Sequence, residues 1–179
     1  MLTAALLDVA PTFRVSEFKD VRRSLLGRVF HVTRLSSMSS ILASGGLLPN
    51  RMGYKSPLGD AADGYFRSIG CVSFFDYRKH ETKEWRKFHR ACEPNNVIPH
   101  NDPAVVMFLG TEHHDKLLDW AGWRKQTQRS VVPHVEVGFP GQVELHMITE
   151  VRIWEDANPE RSRILERIYQ QASEGARRS

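Results

Sequence analysis

The sequence predicts an α+β fold in a single domain, and three observations point there. Helical and strand-like segments do not alternate regularly, which disfavours a doubly wound parallel sheet. The late strand segments, 131–137, 142–148 and 150–154, follow one another with only turns between them. The length of 179 residues is about one domain and suffices for a substantial core without staples. The domain is expected to span 1–179, with a loose arm at 1–12 and a loose tail at 175–179.

Taken in order, residues 16–26 read as a helix, with Phe18, Val21, Leu25 and Leu26 at helical spacing and Gly27 as its stop. Residues 28–33 read as a strand, with Val29, His31 and Thr33 on one face and Phe30 and Val32 on the other. A short helix over 37–43 is expected to be capped by the serines before it and ended by Gly45-Gly46. The stretch 48–69 reads as a long irregular loop, and its Tyr54, Asp60, Asp63, Tyr65, Phe66 and Arg67 suggest a binding lid. Strands are expected at 70–76 and 104–109. Between them lies a charged helix over 77–91 with Trp85, Phe88 and Cys92 as its inner stripe. A helix over 112–125 is expected to pack through Leu117, Leu118 and Trp120. Residues 142–148 and 150–154 are strand material bent in the middle, and a last helix begins at Asn158-Pro159-Glu160.

Composition is ordinary for a globular protein, 41% hydrophobic and 26% charged, so disorder is expected only at the ends. A formal charge of +4 and a pI near 9.3 mildly favour acidic partners such as nucleic acid, with solvated Lys and Arg as the plain alternative. Two cysteines, Cys71 and Cys92, make no disulfide framework, so a reducing, cytoplasmic setting is expected. The first ten residues lack a basic start and carry Asp8, so neither a signal peptide nor a membrane partner is expected.

Several signatures are missing: GxxxxGK(S/T), a strand–GxGxxG–helix unit, GxSxG and HExxH. His89 and Cys92 share a helical face, but a zinc site needs two more ligands and only Cys71 and His80 offer themselves; no metal is expected. What remains is a three-point pattern: His31 on the first strand, Ser73 on the second, and Gln142-x-Glu144 on a late one. Gln142 and Glu144 are two apart and share a face of a regular strand. A carboxylate between Val143 and Leu145 needs solvent or a polar cleft. Singly, these residues read as an exposed carboxylate, a core histidine bonded to backbone and an ordinary strand serine. Jointly they suggest a site.

Arg28-Val29-Phe30-His31-Val32-Thr33, the helix end Ile41-Leu42-Ala43-Ser44-Gly45-Gly46-Leu47, Val72-Ser73-Phe74 and Gln142-Val143-Glu144-Leu145 resemble the ADP-ribosyltransferase superfamily. Within it they are most similar to the DarT-like branch of toxins, whose chains open with a Tyr/Phe-His-x-Thr strand and a Leu-x-x-Ile-Leu-x-x-Gly-Gly-Leu helix. The tRNA 2′-phosphotransferases share the fold and a similar His-bearing strand. The resemblance implies a split β-sandwich core with flanking helices, gripping NAD⁺ as a consumed substrate. It implies that His31 and Thr33 hold the adenosine ribose or the nicotinamide amide, that Ser73 supports the nicotinamide side, and that Tyr65, Phe74 or Tyr77 stacks on the nicotinamide ring. Glu144 would bond the nicotinamide ribose, stabilise the cationic sugar as nicotinamide leaves, and orient or deprotonate the acceptor. Gln142 would face that acceptor, a nucleic acid or a protein. DarT-like enzymes also use an arginine between the first two blocks; Arg51 and Arg67 both qualify, and Arg67, nearer the second strand, is the preferred catalytic candidate. The competing expectations are an NAD⁺ glycohydrolase, an RNA 2′-phosphotransferase-like enzyme, or a non-catalytic nucleic-acid- or protein-binding module on the same scaffold.

Overall fold

Six consecutive apolar residues, Ala104–Leu109, form a strand that is buried along its whole length. A run without alternation suits a strand covered on both faces. The computed structural model describes residues 10–15, 18–50, 64–92, 102–125 and 129–157. In chain order the elements are β1 (Thr12–Val15), α1 (Phe18–Arg22), β2 (Val29–Arg34), α2 (Met38–Ala43), β3 (Gly46–Leu47), α3 (Tyr65–Ser68), β4 (Cys71–Asp76), α4 (Lys83–Phe88), β5 (Ala104–Leu109), β6 (Glu136–Pro140), β7 (Val143–Glu144) and β8 (Ile148–Asp156). One sheet has six strands in the order β1-β8-β5-β2-β4-β6, and a second pairs β3 with β7. All neighbours in the large sheet are antiparallel except β1 and β8. The fold is therefore α+β.

The two faces of the large sheet carry separate cores. On one, Phe30, Val32, Phe75, Val106, Phe108 and Trp154 pack with Val21 and Leu25 from the α1 region and Trp85 from α4. On the other, Val29, Val72, Phe74, Val105, Met107 and Val151 pack beneath Met38, Leu47 and Val143. The small β3–β7 sheet and α2 thus cover the second face. The alternation expected of β2 holds: Phe30 and Val32 serve the first face, and Val29 serves the second.

Several local expectations are corrected. The serines before α2 do not cap it: a 3-10 turn, Leu35–Ser37, runs straight into the helix, and Ser37 makes no side-chain cap bond. Ser36 instead bonds Asp102 through both its backbone N–H and its hydroxyl. The expected irregular stretch contains α3, because Tyr65 and Phe66 bury against Cys71 in a third apolar cluster. The expected helix over 77–91 begins only at Lys83, where the Thr82 hydroxyl accepts the Trp85 N–H at 3.2 Å. The expected helix over 112–125 is two 3-10 segments, Thr111–Lys116 and Trp120–Lys125. Between them Leu118 exchanges both backbone bonds with Gly138, which holds the chain extended and leaves Leu118 exposed. The strand expected at 131–137 starts at Glu136, after a turn in which His134 takes a φ of 65°. Of the expected loose arm, Pro11 accepts the Ile153 N–H and Thr12 pairs with Ile153 in β1. Residues 51–63, including Arg51 and Tyr54, and the expected terminal helix and tail lie outside the described residues.

Candidate functional site

The bend expected in the late strands decides where Glu144 lies. A 3-10 turn, Leu145–Met147, separates β7 from β8, so the two strands enter different sheets. β7 pairs with β3 in the register Gly46↔Glu144 and Leu47↔Val143. The Leu145 N–H donates to the Gly45 carbonyl at 3.1 Å, and the Gln142 side-chain amide donates to the Ser44 carbonyl at 2.9 Å. The turn that ends α2 is therefore clamped on the Gln142–Leu145 segment. Gly45 takes a φ of +73°, and a Cβ on Gly46 would collide with the Val143 carbonyl. The paired glycines serve two purposes, a left-handed turn and a close backbone approach.

His31 lies on the face that this small sheet covers, since it alternates with Val29 and Thr33. Its strand is paired along its length with β5, but with β4 only through Val29↔Asp76 and Phe30↔Phe75. At His31 the two strands part. Its Nδ1–H donates to the Ser73 carbonyl at 2.8 Å, and its ring meets Phe74 edge-on at 5.7 Å. Burial disfavours the imidazolium and outweighs the carbonyl's support, so the pKa falls below the ordinary 6.5. The ring is neutral at pH 7, and its Nε2 is left as a hydrogen-bond acceptor.

Other expected site residues stand differently. Ser73 meets His31 through its backbone; by alternation its exposed side chain shares the opposite face with Phe75. Tyr77 is fully buried on that opposite face, edge-on to Phe30 and Trp85, with its hydroxyl donating to the Cys92 carbonyl at 3.0 Å. It offers no ring face to a ligand. Phe74 is buried in the core beside His31, and Tyr65 is buried in the α3 cluster. Thr33 is buried on the His31 face opposite Val105. The Arg67 Nε donates to the Asn50 carbonyl at 2.6 Å, which ties α3 to the chain leaving β3.

Glu144 is exposed, and its Oε2 lies 3.2 Å from His146 Nδ1. The His146 ring meets His113 edge-on at 6.3 Å, and His113 Nε2 lies 3.7 Å from Glu112. The Gly110 N–H donates to the Met147 carbonyl and holds these two turns together. His113 and His114 read in the sequence as adjacent residues pointing apart on a helix, but the segment is a 3-10 turn that sets His113 against His146. His146 went unread because it sits on a turn that periodicity does not reveal; the Glu-x-His spacing was the available signal. A second unread pair is Asp76 and Arg78: the buried carboxylate accepts Arg78 Nε at 2.9 Å and Nη2 at 2.6 Å. Among the described residues no group of three or more His, Cys, Asp or Glu side chains is placed to hold a metal, and no helix is long and apolar enough to cross a membrane.

Comparison with protein families, curated proteins and solved structures returned no match. The functional reading rests on the residues and their geometry.

Proposed function

We propose that the protein is an NAD⁺-consuming mono-ADP-ribosyltransferase acting on a macromolecular acceptor, a nucleic acid or a protein. One observation carries the reading: the Gly45-Gly46 turn pairs with the Gln142–Glu144 segment over the sheet face that bears His31. Residues about a hundred positions apart in the chain are thereby brought to one side of the large sheet. The parting of β2 from β4 at His31 supports the split core that the sequence resemblance implies.

The residues fit NAD⁺ in part. The neutral His31 presents Nε2 as an acceptor, which suits a ribose hydroxyl or the nicotinamide amide, both donors. Glu144 supplies a carboxylate for the positive charge that develops as the glycosidic bond breaks. The Gln142 amide nitrogen is held on Ser44, which leaves its oxygen for the acceptor. Tyr77, Phe74 and Tyr65 are buried, so a stacking platform must come from other residues.

The exposure of Glu144 also favours a second reading, an NAD⁺ glycohydrolase in which water is the acceptor. Incubation with labelled NAD⁺ and cell extract separates the two, because hydrolysis releases nicotinamide without an added acceptor. Glu144→Gln is expected to lower nicotinamide release by roughly a hundredfold or more. Wild-type protein that neither transfers label nor releases nicotinamide, with Glu144→Gln and His31→Ala changing nothing, would sink both readings.

A further inference from the structure

The face opposite His31 carries a groove that the proposed chemistry does not use. It encloses about 550 Å³ and is lined by Arg22, Arg86, Lys87, His89 and Arg90. Two stretches build it, α1 with the turn after it and α4 with the 3-10 segment His89–Cys92 that follows it. Val21 and Leu25 on one side, and Trp85 and Cys92 on the other, bury in the same core. The basic residues of both stretches are thereby turned outward side by side. Among the described residues no carboxylate forms an ion pair with Arg22, Arg86, Lys87 or Arg90. His89 is held rigidly, its ring stacked on Trp85 at 4.4 Å and its Nδ1–H on the Arg86 carbonyl at 2.9 Å.

We infer that this groove binds the phosphodiester backbone of a nucleic acid. Cations gathered in one concavity, with no ion pair to a carboxylate among the described residues, repel one another, and a polyanion relieves that repulsion along its length. Three of the groups are arginines, whose planar forks match phosphate oxygens. A membrane surface fits less well, because stable anchoring there combines the attraction of cations with inserted apolar side chains. Among the described residues the large exposed apolar side chains are Phe13, Leu35, Leu48, Ile69 and Leu118, and none lines the groove. The inference does not depend on the transferase reading; a nucleic acid held here would nonetheless narrow the acceptor.

Fluorescence anisotropy with the full chain and a labelled oligonucleotide of about 20 nucleotides tests it, over roughly 50 to 200 mM salt. Arg86→Gln/Arg90→Gln is expected to weaken binding roughly tenfold and to flatten the log–log salt slope by about 0.7 per charge removed. Arg22→Gln, on the other wall, should reproduce part of the loss. Arg14→Gln/Lys116→Gln removes the same charge at exposed sites outside the groove and should leave binding nearly unchanged. Thermal melting confirms that each variant folds. Binding of either the single strand or its duplex, lost in the groove variants alone, supports the inference. It is overturned if both double variants weaken binding equally, or if the groove variants bind as the parent does. Inorganic phosphate displacing the oligonucleotide as efficiently as unlabelled oligonucleotide would reduce the groove to a lone-anion site. Capture by phosphatidylserine vesicles in place of the oligonucleotide would assign it to membranes. These outcomes are independent of nicotinamide release, so the groove and the transferase reading can fail separately.

Discussion

His31 is a polar ring on a largely apolar sheet face, and its environment determines its charge. The Ser73 carbonyl fixes the proton on Nδ1, while burial keeps the ring neutral. Its folded pKa lies below 6.5, so the unfolded chain takes up a proton first as pH falls. Stability held at neutral pH is therefore lost as pH drops through the folded value. His114 acts in the same direction through burial and the nearby Arg78 charge. Glu136 opposes them: burial raises its carboxyl above 4.5, so the folded state protonates first and gains as pH falls through that range. We expect urea-denaturation stability to fall between about pH 7 and pH 5.5, and to fall less steeply in His31→Asn. Equal slopes in the two proteins would remove His31 from the account. Tyr77 provides a second residue-scale test. As a core hydroxyl bonded to Cys92, its replacement in Tyr77→Phe should cost about 1 kcal/mol of stability and leave the KM for NAD⁺ unchanged. A raised KM with intact stability would return Tyr77 to a substrate-binding role.

At the scale of elements, the small sheet ties the Gly45-Gly46 turn to the segment that carries Glu144. It has only two residue pairs, so its geometry depends on close approach at Gly46. Gly46→Ala places a methyl group against the Val143 carbonyl and must push β3 from β7. We expect a loss of about 1–3 kcal/mol and a disproportionate fall in nicotinamide release, read by urea denaturation beside the activity assay. A variant that loses stability but keeps full release would show that β3–β7 pairing does not position Glu144. The helix α4 is a contrasting case. It is short and charged, yet Trp85 is fully buried and its indole N–H donates to the Asp76 carbonyl at 3.0 Å. Trp85→Ala should cost about 3–5 kcal/mol, because it removes a large core side chain and strands that carbonyl. These elements were only partly legible. The stripe of Trp85 and Phe88 in α4 and of Cys92 in the 3-10 turn after it showed in the helical spacing, as did the run that makes β5. The break at Leu118 did not, because it is imposed by backbone bonds to Gly138, a partner remote in the chain. The bend in the late strands was legible, but its place at Leu145–Met147 and the bond from Leu145 to Gly45 were not.

Across the whole molecule, the large sheet separates two polar surfaces with different chemistry, a carboxylate–histidine side and a cationic groove. Its rigid centre is β5, buried throughout and paired on both edges by β2 and β8. Hydrogen exchange should be slowest at the β5 amides and markedly faster in β7, whose sheet has a single partner strand; comparable rates in both would contradict this layering. What the sequence determined by itself were the quantities set by neighbouring residues. These are the α+β class, the alternating faces of β2, the buried run of β5 and the left-handed stop at Gly45. Each follows from local periodicity or backbone freedom. The tertiary structure decided which side chains face which surface and which remote segments meet. It put Tyr77 in the core, replaced the Ser73 hydroxyl by its carbonyl, and set Gly46 against Glu144. The physical reason is that sheet pairing is satisfied by backbone groups, which every residue carries alike, so the partner of a strand is left unspecified until the packed core selects it.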